Sequence, residues 1–458
     1  MPQALSPLIA ISRDPIALVL LWQGFRRGLF RPHWLRHLWL FTSLALAVGG
    51  LISMFDNTVP LVVWAFGLRT NVLHLPLILI IPGLLTPNDL QRLLKRLLML
   101  SLPIALLMLW QYRSPIDSWI NRSALDGVMQ IRATAGRVRP SGPFSFITGA
   151  AEYFALVNAV LLGGFLDRRF HPFWILYGLA SSLLALSVSG SRLMQATVAI
   201  VWVGTVAVVL LRRGRLPSAN VVLGSITIGL VLVLLINVSP LGGAIEEGWQ
   251  TTGQRTRDAN LEDGGLLIRL QRAISIPDTI IWEAPHFGYG LGLGTNYGKQ
   301  VVTGSVGFAL SESDIQRVML ESGLYIGGLF LVFRNLLSLH LASKAWWALA
   351  RGLHLPTSLF FSAIIGLSFG QIHLPTSMGF LVIGMAFSLA ATRREPVEID
   401  LRTLPAPEAL STGGLPEVPT DPSDPYRPSG NHPAGAPSAG DNLGRLDSPP
   451  IAPHTSRA

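Results

Sequence analysis

The sequence predicts an all-α protein, a polytopic bundle of about 10 to 12 transmembrane helices. Half of the 458 residues are hydrophobic and only 13% are charged, whereas soluble domains carry roughly 25% charged residues. Several apolar runs approach the roughly 20 residues that a helix needs to cross a bilayer. The basic residues lie between these runs, so the net charge of +9 does not indicate nucleic-acid binding. The absence of cysteine excludes disulfides and cysteine nucleophiles.

The chain divides into three segments by composition. Residues 1–36 are predicted to be cytoplasmic or interfacial, because their apolar run is short and flanked by charged residues. Residues 37–392 form the predicted transmembrane domain. Residues 393–458 hold 13 of the 32 prolines, which is typical of a disordered tail, here predicted to be cytoplasmic.

The predicted spans follow one another along the transmembrane domain. They lie near 37–55, 59–86, 96–112, 149–166, 172–188, 194–211, 218–238, 317–340, 357–373 and 375–392. The second of these is either one tilted helix or two short pieces broken near Gly67 and Asn71. No internal repeat supports an inverted-repeat transporter.

Clusters of Lys and Arg alternate with the spans as the positive-inside rule requires. They lie at 26–36, 92–96, 168–169, 212–215, 344–351 and 393–394. This alternation predicts that both termini lie in the cytoplasm. It also predicts that two long loops, about 113–148 and 239–316, lie on the outer side. Loops of such length usually carry function, and we expect short helices within the second loop.

Four arginines on the outer side could bind an anion. Arg69 lies within an apolar span, where it seeks an anion or a carboxylate, although it can also be internally paired or snorkelling. Arg192 follows a turn of small residues, and its planar fork suits phosphate oxygens. It can equally anchor the helix at the interface. Arg137 and Arg139 of the first outer loop either bind an anion or are ordinary solvated charges.

Acidic residues and histidines on the outer side are candidates for a general base. Glu312 and Asp314 precede the eighth span, with Glu321 one turn inside it. A buried carboxylate could take a proton from a sugar hydroxyl, while a helix N-terminal carboxylate can be purely structural. His286 and His373 could act as bases or remain hydrogen-bonded bystanders. Their spacing does not indicate a metal site.

Three short motifs resemble those of the O-antigen ligase and O-antigen polymerase family of bacterial inner-membrane glycan transferases. They are Ser-Gly-Ser-Arg at 189–192, Gly-Tyr-Gly-Leu-Gly at 288–292 and Glu-Ser-Gly-Leu-Tyr-Ile-Gly-Gly at 321–328, within a resemblance covering roughly 37–392. The resemblance implies that Arg69 and Arg192 bind the pyrophosphate of an undecaprenyl carrier. Glu312 stands where the family has a loop histidine, so Glu312 is our first candidate base and His286 the second.

The expected function is therefore metal-independent glycosyl transfer or polymerisation on the periplasmic face, in exopolysaccharide or O-antigen biosynthesis. The expected partners are the lipid-linked glycan, an acceptor glycan, lipid or protein, and membrane lipids, without a cofactor or nucleic acid. The alternative is a transporter or flippase for an anionic lipid or solute, in which Arg69 faces the substrate. The sequence shows few charges in the inner halves of the helices, which disfavours that alternative.

Overall fold

The computed structural model describes residues 13–122, 138–213, 284–304, 310–311 and 313–393, together with residues 250, 253 and 275. The regular elements of these residues are helices, and no β-strand occurs among them. We number their α-helices in chain order. They are α1 Asp14–Arg26, α2 His33–Asp56, α3 Leu61–Leu68, α4 Leu77–Leu84, α5 Pro87–Arg113, α6 Ile147–Leu166, α7 Pro172–Val188, α8 Arg192–Arg213, α9 Asn296–Thr303, α10 Asp314–Ala350, α11 Leu355–Ser368 and α12 Pro375–Ala390.

Helices occupy every predicted span that falls within the described residues. Five of the described helices, α2, α5, α6, α8 and α10, are long and apolar enough to cross a membrane, and the bent pair of α3 and α4 makes up to six. The count of 10 to 12 is not confirmed, because α7, α11 and α12 have 17, 14 and 16 residues. A bilayer crossing needs roughly 20. The predicted span 218–238, most of the loop 239–316 and the tail from 394 lie outside the described residues.

Helix α6 lies at the centre of the bundle, with 83% of its most apolar window buried. It packs against α7, α8, α11 and α12. Small residues permit this: Gly163 meets the backbone of Leu355, and Gly149 meets the side chains of Phe144 and Thr376. The many buried alanines of α6 likewise allow close helix packing.

The second predicted span is broken into two helical pieces, which is one of the two alternatives given above. Helix α3 continues as a π-helix over Arg69–Leu73, and α4 then leaves at an angle of 50°. The side chains of Thr70 and Asn71 donate hydrogen bonds to the carbonyl of Gly67, at 3.2 and 2.9 Å. Side chains that bond back to the preceding turn satisfy the carbonyls that a break would expose.

Helix α10 folds back on itself at Gly323, which the sequence analysis did not predict. Gly323 has φ 76° and ψ 165°, outside helical values. A straight helix would separate Asp314 from Arg334 by about 30 Å, yet these side chains form an ion pair. A Cβ on Gly327 would lie 2.9 Å from the carbonyl of Val318, so the short arm before Gly323 packs against the long arm after it.

Helix α1 packs against α4, and its two ends lie near the two ends of α12. Arg13 donates a hydrogen bond to the carbonyl of Pro375, at the start of α12, whereas Arg27 lines a cavity with Arg393, just beyond its end. The two helices therefore run in the same direction. Exposed side chains of α1 include Ile16 and Trp22, both 63% exposed, an apolar face suited to lipid. The direction of α1 takes it from the end of the bundle predicted to be outer to the end predicted to be cytoplasmic, whereas residues 1–36 were predicted to be cytoplasmic or interfacial. Their location stays a prediction.

Candidate functional site

The glycine-rich loop 284–295 docks onto the break in α10. The N–H of Tyr289 donates to the carbonyl of Leu320 at 2.7 Å, and the N–H of Gly290 donates to the carbonyl of Glu321 at 3.2 Å. A helix that ends leaves its last carbonyls without intrahelical donors. The loop supplies those donors, so the break and the loop stabilise each other.

Two glycines make this contact sterically possible. A Cβ on Gly323 would overlap the carbonyl of His286, and a Cβ on Gly288 would overlap the backbone of Glu321. Both glycines also have φ of 76°, in the left-handed region that other residues rarely adopt. The loop backbone can therefore approach α10 only because these two side chains are absent.

Glu321 fastens the loop to the helix through both carboxylate oxygens. Its Oε1 accepts a hydrogen bond from the N–H of Gly294 at 2.8 Å, and its Oε2 accepts one from Arg317 at 2.7 Å. The Glu321 side chain is fully buried. A carboxylate held in this way organises the site, whereas a general base needs an oxygen that can reach the acceptor hydroxyl.

Asp314 lies at the centre of a buried ionic cluster, which we define as Asp314, Arg317, Glu321 and Arg334. The two oxygens of Asp314 bind Arg317 at 2.9 Å and Arg334 at 2.5 Å. All four side chains are 0% exposed. Two positive and two negative charges therefore compensate each other away from water, which buried charges require.

Arg334 joins the ionic cluster to the end of α11. Its Nε donates to the carbonyl of Leu367 at 2.8 Å, and its second terminal nitrogen donates to the carbonyls of Gly366 at 3.2 Å and Gly370 at 3.1 Å. These carbonyls belong to the last turn of α11 and the connection after it. The guanidinium thus satisfies helix-end carbonyls as well as Asp314.

His373 borders the ionic cluster from the connection between α11 and α12. Its Nδ1 lies 3.3 Å from Oδ1 of Asp314. Burial and the positive charge of Arg317 lower the pKa of His373 from its ordinary value, although the hydrogen bond to Asp314 opposes this shift. The imidazole is therefore neutral near pH 7.

Arg69 forms an internal ion pair. Internal pairing was one of the alternatives that the sequence left open for this residue, besides binding of an external anion. Its Nε binds Oδ2 of Asp14, and its NH2 lies 2.9 Å from Oδ1 of the same carboxylate. The guanidinium also lies over the ring of Phe66, 5.1 Å from the centroid, and Phe66 stacks against Tyr297 of α9 at 4.6 Å. The carboxylate of Asp14 thus balances the positive charge of Arg69, and the contact between Phe66 and Tyr297 brings this pair close to the second loop. Its role in pyrophosphate binding stays a prediction.

Arg192 is the first residue of α8 and is half-buried. The turn before it is ordered by hydrogen bonds, because the N–H of Ser191 donates to Oγ of Ser189 at 3.2 Å and the N–H of Met194 donates to Oγ of Ser191 at 3.4 Å. Within the described residues Arg192 has no acidic partner, in contrast to Arg69. No described carboxylate therefore compensates the charge of Arg192.

The other predicted site residues are partly described. Arg139 is half-buried, and its Nε is buried without a hydrogen-bond partner in the described part of the chain. His286 is exposed in the turn that opens the glycine-rich loop. Arg137 and Glu312 lie outside the described residues. Their predicted roles stay predictions.

Glu152 is a further acidic side chain near the start of α12. It shares a hydrogen bond with Ser377, and its Oε2 is buried without a hydrogen-bond partner among the described residues. An unsatisfied buried oxygen is costly, so such a group is often functional.

The sequence analysis missed Arg334, although an arginine between Phe333 and Leu336 in an apolar run was a visible signal.

No protein-family model matches the sequence, and a comparison with curated proteins finds no match. The resemblance to the O-antigen ligase and polymerase family therefore depends on the motifs quoted above. Among the described residues, no three His, Asp or Glu side chains lie close enough together to hold a metal ion.

Proposed function

We propose that the protein transfers or polymerises an undecaprenyl-pyrophosphate-linked oligosaccharide on the periplasmic face of a bacterial inner membrane. The acceptor is a hydroxyl of a second glycan, a lipid or a protein. The proposed reaction uses neither metal nor nucleotide. The apolar helices that are long enough to span a bilayer support the membrane setting.

The observation that carries the proposal is the contact between two of the motifs on which the resemblance depends. The glycine motif at 288–292 and the motif that begins at Glu321 are well separated in sequence, yet hydrogen bonds from Tyr289 and Gly290 join them. Glu321 adds a third bond through Gly294. A loop held in this way gives a membrane enzyme a fixed wall at the outer end of its bundle, which supports precise positioning of donor and acceptor.

The proposed chemistry is an inverting displacement at the anomeric carbon. The acceptor oxygen forms the new glycosidic bond, the bond to the pyrophosphate breaks, and the leaving pyrophosphate takes the electron pair. Negative charge grows on that leaving group, so preorganised guanidinium groups lower the barrier. Arg192 is our first choice for this role because it has no acidic partner within the described residues. Arg139, whose Nε has no hydrogen-bond partner among the described residues, is the second.

A general base completes the proposal by taking the proton of the acceptor hydroxyl. Glu312 remains our first candidate and His286 the second. His286 is exposed and lies next to the loop contact at Gly288. Glu152, with one oxygen free of hydrogen bonds among the described residues, is a third candidate.

Arg192→Ala compared with Arg113→Ala tests the proposed site. Arg113 is exposed at the end of α5, so Arg113→Ala removes the same charge without altering the turn at 189–192. Each purified variant is given lipid-linked oligosaccharide in nanodiscs, and glycan transfer is measured at equal protein level. We expect Arg192→Ala to lose about 100-fold or more in rate, as removal of a transition-state donor does, and Arg113→Ala to retain it. Full activity of Arg192→Ala would exclude the pyrophosphate role.

A transporter is the second candidate, and one observation favours it. The ionic cluster lies where the short helices α11 and α12 meet, and transporters build substrate sites at the ends of discontinuous helices. However, the cluster is charge-balanced, and Arg334 already donates to four oxygens. Such a cluster has little capacity left for a substrate anion. Uptake of lipid-linked glycan into vesicles, without any change in glycan length, would support the transporter instead.

A further inference from the structure

A cavity of about 360 Å³ lies between the turn that joins α1 to α2, the end of α4 and the residues after α12. Three arginines line it, Arg27, Arg31 and Arg393; the other lining residues are Thr392, two glycines and four apolar residues, Leu29, Leu79, Pro82 and Leu389. No acidic side chain lines the cavity. Its size lies within the range of small-molecule sites.

The charge of this cavity is not compensated within the part of the chain that the structure describes. Arg27, Arg31 and Arg393 are all exposed, and none of them forms an ion pair with a described residue. By contrast, Arg69 pairs with Asp14, and the guanidinium of Arg26 lies 5.5 Å from the ring centroid of Trp22. Three arginines without an acidic partner among the described residues therefore line one cavity.

The cavity is distant from the site proposed above. It lies beyond the C-terminal end of α12, whereas His373 and Pro375 lie at the N-terminal end. The 16 residues of α12 separate the two places by about 24 Å. The cavity therefore cannot be part of the outer-end wall formed by the glycine-rich loop.

We propose that this cavity binds a phosphate group, presented either by an anionic lipid headgroup or by free phosphate. Guanidinium groups hold phosphate oxygens through paired hydrogen bonds and keep their charge at every physiological pH. The apolar face of α1, which includes Ile16, Val19 and Trp22, lies on the same helix as Arg27 and suits acyl chains beside the headgroup. The inference is independent of the proposed glycan transfer.

The test compares Arg27→Gln, Arg31→Gln and Arg393→Gln with Arg26→Gln in the full-length protein. Arg26 is the matched control, because it is also exposed and neighbours Arg27 but does not line the cavity. Native mass spectrometry measures retention of phosphatidylglycerol against phosphatidylcholine, and a thermal shift with inorganic phosphate, in detergent without lipid, provides the second arm.

We expect the wild-type protein to prefer phosphatidylglycerol and each cavity variant to lose about fivefold in affinity, while Arg26→Gln keeps the wild-type affinity. A thermal shift by inorganic phosphate, lost in the same three variants, would identify free phosphate as the source. An equal loss in Arg26→Gln would overturn the proposal, because it would indicate unspecific attraction to surface charge. Absence of any preference in the wild-type protein, in both arms, would also overturn it.

Discussion

Asp314 and Arg334 form a fully buried ion pair at 2.5 Å, although both belong to the same helical segment, 20 residues apart. The pair is possible only because α10 folds back at Gly323. From Arg334 a continuous chain of contacts passes through Asp314, Arg317 and Glu321 to Gly294 of the glycine-rich loop. The ionic cluster thus connects the long arm of α10 to the glycine-rich loop.

Removal of Arg334 should strongly destabilise the protein. Arg334→Met leaves Asp314 with one cationic partner fewer and strands carbonyls of α11. We expect a loss of about 3–5 kcal/mol in the free energy of unfolding, as for other broken buried pairs. Denaturant unfolding in detergent measures it, with Lys344→Met as the control, because Lys344 is exposed on the same helix. Equal stability of the two variants would contradict the importance of the ionic cluster.

Gly323 should tolerate no side chain. In Gly323→Ala the new methyl group would overlap the carbonyl of His286 and the residue would keep a positive φ, so we expect a loss of about 1–3 kcal/mol from backbone strain. Gly328→Ala is the matched control on the same helix, where a Cβ meets nothing within 4 Å. That variant should be neutral or up to about 1 kcal/mol more stable. The prediction fails if thermal unfolding shows no difference between them.

Acidification should destabilise the wild-type protein through His373. Its pKa is lowered in the folded state, mainly by burial and then by Arg317, so the unfolded chain binds the proton first as the pH falls. Stability is therefore complete above about pH 6.5, the ordinary histidine pKa, and decreases below it. Unfolding of wild type and His373→Gln, measured between about pH 7.5 and 5, should give curves that converge or cross on acidification. Parallel curves would exclude this contribution.

The absence of cysteine allows a clean test of orientation. Asn88→Cys, at the exposed start of α5, is predicted to face the cytoplasm, and Gln300→Cys, exposed on α9, is predicted to face the periplasm. In intact cells, a membrane-impermeant maleimide should label Gln300→Cys and leave Asn88→Cys unlabelled until the membrane is permeabilised. The opposite labelling pattern would reverse the proposed topology and place the glycine-rich loop in the cytoplasm.

The positions of the helices were predictable from sequence because a run of apolar residues must bury its backbone groups in helices. A break in the second span was one of two predicted alternatives, near Gly67 and Asn71, whereas the chain bends a few residues later, between Leu73 and Leu77. The fold-back of α10 was not predictable from local pattern, since it depends on Arg334 and on carbonyls of α11. Likewise, Asp14 lies 55 residues from Arg69, so no local spacing indicated their pairing.

The sequence predicted residues of the candidate site, but not which of them contact one another. The sequence identified the glycine-rich loop and Glu321, but the docking of one onto the other depends on the φ of Gly323. It also treated Asp314 and Glu321 as candidates for proton transfer, whereas both are engaged by arginines. Such partners follow from the tertiary fold rather than from spacing.

The most direct test of the central claim is the product formed by purified wild-type protein in nanodiscs supplied with undecaprenyl-pyrophosphate oligosaccharide, without added metal or nucleotide. We expect release of the carrier together with longer glycans, or with glycan attached to a supplied lipid or protein acceptor. Longer glycans identify a polymerase, and attachment to another molecule identifies a ligase. An unchanged donor across a panel of glycans, with protein that remains folded, would contradict the proposed glycan transfer.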